Sequence, residues 1–385
     1  MPGPFGDYQN EIYLRGLAGE RPPLTTDLTR LEENAEKSML PTAFGYVAGG
    51  AGAGSTIRAN RAAFDRWRIV PRMLTGATDR DLRTTVLGQP LPAPVLLAPV
   101  GVQSIMHPDA ELATARAAAS LGVPMILSTA ASRTIEEVAE VDGPRWFQLY
   151  WPNDPDVCAS ILGRARKAGY SALVVTLDTW TLAWRPRDLD QAYLPFLEGE
   201  GVATPLSDPA FRARLDKTPE DDPAAALLLW TSMFSGTDFS WPQLSGLREL
   251  WDGPIVLKGI QHVDDARRAV DEGMDGIVVS NHGGRQVDGA LGALTALPEI
   301  AQAVGGRIEV LFDSGVRNGS DVIKALALGA KAVLLGRPYA YGLALAGEDG
   351  VRHVLRSLLA DLDITLGLTG HRTVADLSPS ALCRS

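Results

Sequence analysis

The sequence predicts an α/β chain in which eight strand–helix units close into a parallel barrel. Three observations lead there. From residue 90 onward, short apolar runs alternate with amphipathic helical stretches. The runs are continuously apolar, the pattern of strands covered on both faces of a parallel sheet. Nearly every run ends in a polar residue or a glycine. Eight such units in roughly 250 residues match a TIM (β/α)8 barrel; a doubly wound open sheet is the competing arrangement and usually carries fewer units.

Residues 1–90 read as a helical N-terminal segment packed on the barrel, and 91–385 as the barrel itself. Asp27 starts one helix, and Pro41 opens another that stops at the glycine-rich run 49–52. The predicted strands are 95–99, 125–128, 145–150, 173–178, 255–258, 276–280, 310–313 and 333–336. The predicted helices are 109–121, 134–140, 155–168, 243–250, 263–272, 294–304, 319–328 and 349–361. Between 179 and 241 an insertion rich in Pro, Asp and Ala breaks the rhythm. It follows the fourth strand, which puts it on the catalytic face, and its length predicts a partly mobile lid.

Composition narrows the function. Hydrophobic residues make up 45% and charged residues 21%, as in ordinary globular proteins. A net charge of −10 argues against a nucleic-acid surface. A small anionic substrate would then need local cations. Cys158 and Cys383 form neither a metal spacing nor a disulfide framework, which fits a reducing, cytoplasmic setting. No basic N-terminal stretch precedes an apolar one, and no apolar run approaches about 18 residues. Neither export nor a membrane partner is expected.

In a barrel, chemistry gathers where strands end. The most specific ending is Ser280-Asn281-His282-Gly283-Gly284-Arg285, an imidazole and a guanidinium three residues apart in a glycine-rich loop. Histidine can act as a base near neutral pH, and arginine can grip a carboxylate with two parallel hydrogen bonds. Of the five histidines, only His282 occupies a strand-end loop beside an arginine. Asp178, ending the fourth strand, can orient it. Arg185 follows in the insertion as a second cation for the substrate, or else as a lid salt bridge. Lys258 ends the fifth strand, either as a charge reaching the rim or as a cation facing a cofactor ring. The last two strands end in Asp313-Ser314-Gly315-Val316-Arg317 and Gly336-Arg337, where barrels often bind phosphate. No Walker A or Gly-x-Gly-x-x-Gly fingerprint follows a strand, which assigns that phosphate to a cofactor in the barrel mouth.

These residues resemble the FMN-dependent α-hydroxy acid oxidase and dehydrogenase family, from Tyr8 to about Leu377. The stretches 8–13, 104–109, 184–189 and 257–262 look most similar to its lactate 2-monooxygenase branch. The resemblance implies FMN as cofactor, His282 as base with Asp178 as its partner, and Arg185, Arg285 and Tyr46 on the substrate carboxylate. It places Tyr150 near the substrate hydroxyl and Lys258 beside flavin N1 and O2. Ser128, Gln148 and Thr176 match residues at the isoalloxazine edge, and Pro99, Val100 and Gly101 match backbone near N5. Ser280, Asp313, Gly315, Arg317, Gly336 and Arg337 match binders of the ribityl chain and phosphate. Ala130 stands where some oxidases carry tryptophan, and Gly101 where many carry alanine, which leaves the substrate open. The expected activity is oxidation of lactate by O2 to acetate, CO2 and water. The alternatives are an oxidase releasing keto acid and peroxide, on a larger substrate too, and a non-catalytic flavin-binding protein. The resemblance also implies a homo-tetramer or homo-octamer.

Overall fold

The computed structural model describes residues 4–234 and 239–385. Eight parallel strands close into a barrel in chain order. They are β1 (Val95–Leu97), β2 (Met125–Ser128), β3 (Arg145–Leu149), β4 (Leu173–Thr176), β5 (Ile255–Ile260), β6 (Gly276–Val279), β7 (Glu309–Phe312) and β8 (Ala332–Leu335). Their residues are buried almost throughout, which is why the sequence shows continuous apolar runs instead of alternation. The register sets Ser128 beside Gln148 and Thr176 beside Lys258, so predicted site residues share one level at the C-terminal rim.

Inward-facing side chains, among them Leu96, Ile126, Trp146, Val174, Val278 and Leu334, fill the barrel below that rim. Its lower end is plugged by a hairpin, Thr84–Val86 with Gln89–Leu91, whose Val86 and Leu91 join the same cluster. Trp146 Nε1 donates to Gln89 Oε1 at 3.1 Å. A second short strand, Trp67–Ile69, pairs antiparallel with Leu382–Arg384 and ties the two ends of the chain together. These short strands interrupt the otherwise helical first 90 residues. Three-residue strands carry no readable period and exist through their partners.

The outer helices fall where expected, with one correction. The eighth runs over Arg337–Leu368, not 349–361, and is broken at Ala346 and Gly347. The helical period in the sequence is readable only beyond the break. The part before it matters, because it starts the helix directly after β8, with Pro338 in its first turn.

The insertion folds into short helical segments: Pro186–Leu189, Pro195–Glu198, Ala203–Leu206, Pro209–Arg212 and Pro223–Phe234. Residues 235–238 of the expected lid lie outside the described residues. The described part packs onto the loops after β1, β2 and β3. Glu200 bonds Ser104, and Ala203 N donates to Ala131 O at 3.0 Å. Asn153 N donates to Met233 O at 3.0 Å, and Trp151 stacks on Phe239 at 4.2 Å. Among the described residues, no helix is long and apolar enough to cross a membrane.

Candidate active site

The rim encloses a cavity of about 250 Å³. Its wall contains Tyr46, Pro99, Val100, Gly101, Tyr150, Arg185, Lys258, His282, Arg285, Asp313, Gly315, Arg317, Gly336 and Arg337. Asp178, Ser128, Gln148, Thr176 and Ser280 are not part of that wall. Asp178 and Ser280 bond residues that are, Thr176 pairs with Lys258 in the sheet, and Ser128 bonds Gln148 at 2.9 Å.

The loop after β6 builds the centre. His282, Gly283 and Gly284 take φ of 56°, 64° and 77° in succession. Glycine adopts this region freely, whereas histidine is strained there and stays only if its surroundings hold it. They do. Ser314 Oγ accepts from Asn281 N at 3.2 Å and Gly283 N at 3.0 Å, and Ser280 Oγ accepts from His282 N at 3.0 Å. The Asn281 and Asn60 side chains exchange two hydrogen bonds, of 2.8 and 2.7 Å.

This posture brings His282 Nδ1 to 2.7 Å from Asp178 Oδ1. The Thr179 hydroxyl donates to the same oxygen at 2.9 Å. Asp178 packs against Gly259, at a bulge in β5 with φ 111°; a Cβ there would stand 2.9 Å from Asp178 Oδ2. Burial pushes the His282 imidazole below its ordinary 6.5, against the opposing pull of Asp178. It is a neutral base at neutral pH, with Nδ1–H given to Asp178 and Nε2 left for the cavity. Burial works to raise the Asp178 carboxyl, but His282 and Lys258 outweigh it and hold the group at about 2.

The arginines are held mainly by backbone carbonyls. Arg285 Nη1 donates to Tyr46 O at 2.5 Å and Gly49 O at 2.9 Å, with its guanidinium 5.0 Å from the Tyr46 ring centre. Arg185 donates to Arg285 O at 3.1 Å and to Gln286 Oε1 at 2.6 Å. Arg337 donates to Val47 O, Gly283 O and Gly49 O at 3.2, 2.8 and 2.8 Å. Arg317 donates to Val316 O at 2.9 Å. Burial, with Arg285 close to both, lowers Arg185 and Arg337 to about 10, which leaves them charged at neutral pH. Lys258 Nζ lies 3.3 Å from Asp313 Oδ2 and 3.2 Å from Ser280 Oγ. Burial opposes its charge, but Asp313 and Asp178 win and raise its pKa. Two anion positions result. One is at Arg185 and Arg285 beside His282. The other is at Arg317 and Arg337, at the positive end of the last helix.

Several contributors are not evident from sequence. Thr179 and Gln286 are chain neighbours of residues that are, and their side chains brace Asp178, His282 and Arg185. Phe196, Leu194, Trp230 and Met106 also line the cavity, and no sequence signal marks them.

Residues 35–384 match the family model for FMN-dependent dehydrogenases. An FMN-dependent alpha-hydroxy acid dehydrogenase of Penicillium citrinum, qulF, is 51% identical over all of this chain and 97% of its own. An L-lactate oxidase of Lysinibacillus sphaericus is 40% identical over 97% of each chain. A crystal structure of mandelate oxidase superposes with a TM-score of 0.83 at 40% identity, covering 94% of this chain and 99% of that one. The residues present fit FMN. Gln148 Nε2 is a buried amide nitrogen with no partner among the described residues, as a ring-edge donor would be. Among the described residues Arg317 and Arg337 bond backbone carbonyls and form no ion pair, which leaves their charge for a phosphate.

Proposed function

We propose, for a chain that belongs to the FMN-dependent dehydrogenase family, that it oxidises an L-2-hydroxy acid to the 2-keto acid with O2 as terminal acceptor. When bound, FMN takes up two electrons from the substrate and passes them to O2. The reading is supported above all by the 2.7 Å pair of His282 and Asp178, which opens onto the same cavity as two carbonyl-held arginines.

Each residue then has a task. Arg185, Arg285 and Tyr46 fix the carboxylate, which orients the α-carbon; positioning of this kind is worth several kcal/mol. His282 Nε2 takes the hydroxyl proton, and Asp178 stabilises the imidazolium that forms. Burial pushes the Tyr150 hydroxyl up, so it keeps its proton and can hydrogen-bond the substrate oxygen. Lys258 offsets negative charge at the ring edge. Ser128, Gln148 and Thr176, with the backbone of Pro99, Val100 and Gly101, hold the ring. Ser280, Asp313, Gly315, Arg317, Gly336 and Arg337 hold the ribityl chain and phosphate.

The pinned insertion supports retention of the keto acid beside the peroxide made with it. Hydrogen peroxide and the keto acid then give the acid one carbon shorter, CO2 and water. From lactate and O2 the sum is acetate, CO2 and water. A second reading, release of keto acid and hydrogen peroxide, is favoured by relatives named as oxidases. A product assay on the yellow holoenzyme with L-lactate and O2 separates the two. Acetate and CO2 with little peroxide are expected. Pyruvate with equimolar peroxide would overturn retention and leave oxidation standing. No turnover of any 2-hydroxy acid would overturn the reaction.

A further inference from the structure

We infer that the inner face of the insertion selects L-2-hydroxy acids with a large apolar side chain, branched or aromatic, over lactate. This rests on the reaction proposed above and adds to it the class of the third substituent on the α-carbon.

With the carboxylate at Arg185 and Arg285 and the hydroxyl at His282, the side chain must point to the rest of the wall. That part includes Met106, Ala130, Leu182, Leu194, Phe196 and Trp230, with the threonines Thr179, Thr181 and Thr231. None of these side chains carries a charge. A charged substituent would lose water there without an opposite charge to meet it. A methyl would leave most of this apolar surface uncovered.

The wall is braced against collapsing onto a methyl. Phe196 meets Tyr46 edge-on, with ring centres 6.5 Å apart at 86°. The turn that carries it ends at Gly199 and Gly201, both with positive φ. At Gly201 the backbone comes so near that a Cβ would stand 2.7 Å from Val102 and 2.9 Å from Ala130 O. Trp230 is 4% exposed and meets the fully buried Phe211 edge-on at 6.1 Å. Phe211 is fixed in turn by Asp208, which caps its helix and pairs with Arg164 at 3.2 Å and Ser160 at 2.8 Å. Glu200 fastens the same segment to Ser104, whose hydroxyl lies 2.7 Å from that of Ser132. A preformed apolar space rewards the substrate that fills it.

Each buried methylene is worth about fourfold in affinity. Three or four extra carbons beyond methyl therefore give roughly 60- to 250-fold in kcat/KM. The test is steady-state kinetics of the holoenzyme with L-lactate, L-2-hydroxyisocaproate, L-mandelate and L-3-phenyllactate. The bulky acids are expected to exceed lactate by that factor. In Phe196→Ala and Trp230→Leu the ratio of bulky substrate to lactate should fall at least fivefold. Should Trp230→Leu fail to fold, Phe196→Ala carries the test, since a ratio is independent of how much active enzyme is present. Lactate equal to or better than the bulky acids, or ratios unchanged in the folded variants, would overturn the inference and leave the reaction intact. Failure of every acid to bleach the holoenzyme without oxygen would overturn both.

Discussion

Replacing Asp178 with asparagine isolates the charge behind His282. The amide has nearly the same shape and can still accept from His282 Nδ1, now 2.7 Å from Oδ1. Thr179 and the packing against Gly259 remain. What disappears is the negative charge that stabilises the imidazolium once His282 has taken a proton. For charges roughly 4 Å apart at an effective dielectric of about 20, that attraction is about 4 kcal/mol. At about 1.4 kcal/mol per decade it corresponds to a loss of roughly 10³-fold in the rate of substrate oxidation. The assay is anaerobic mixing with saturating substrate, following loss of the yellow colour. FMN content should be unchanged, because Asp178 lies outside the cavity wall. A rate within about tenfold of the parent, a loss of less than about 1.4 kcal/mol, would refute the assignment of Asp178 as the electrostatic partner of the base.

The pH profile carries an independent check. Burial holds the His282 imidazole below 6.5, so the free enzyme already has its base unprotonated at neutral pH. The value of kcat/KM should be flat there and fall in acid, below 6.5, as His282 gains its proton. Because Asp178 raises that pKa, the limb in Asp178→Asn should move further into acid; a shift toward alkali would contradict the sign. Gly259→Ala forces a Cβ to 2.9 Å from Asp178 Oδ2 at a φ of 111°. Strain of this kind costs on the order of 1–3 kcal/mol, so both Tm and the anaerobic oxidation rate should drop; a parent-like protein would show that the bulge does not set Asp178. Arg337→Ala removes a cation and leaves the carbonyls of Val47, Gly49 and Gly283 without that donor. A charged hydrogen bond is worth about 1.5–3 kcal/mol, so FMN should dissociate roughly 10- to 100-fold more readily, read by absorbance after gel filtration. Full retention would remove Arg337 from the phosphate site.

The eight strands are legible in the sequence because burial on both faces marks each run separately, as in Leu173, Val174, Val175 and Thr176 of β4. The rim residues are legible for the complementary reason, a polar group after an apolar run. His282 stands out because it alone of five histidines sits in such a place beside an arginine. What escapes depends on contacts remote in sequence. The hairpin over Thr84–Val86 and Gln89–Leu91 exists because Val86 and Leu91 fill the barrel floor. Phe196 and Trp230 reach the cavity only because Glu200 meets Ser104 and Trp230 meets Phe211. The part of the last helix before the break is hidden because Gly347, with φ 57°, interrupts the helical pattern.

The way the arginines are held bears on the two anion positions proposed here, in a chain of net charge −10. A guanidinium paired with a carboxylate is fixed in place but has its charge spent. One held by carbonyls is equally fixed and keeps its charge for a ligand. Arg285 and Arg337 share Gly49 O, at 2.9 and 2.8 Å, so the end of the Pro41–Ala48 helix serves both anion positions at once. The carbonyls at a helix C-terminus carry partial negative charge, enough to seat a cation and too little to neutralise it. Burial and mutual repulsion lower Arg185 and Arg337 only to about 10, so both stay charged at neutral pH. The same glycine-rich stretch that reads in the sequence as a helix stop is thus the support that keeps both cations available.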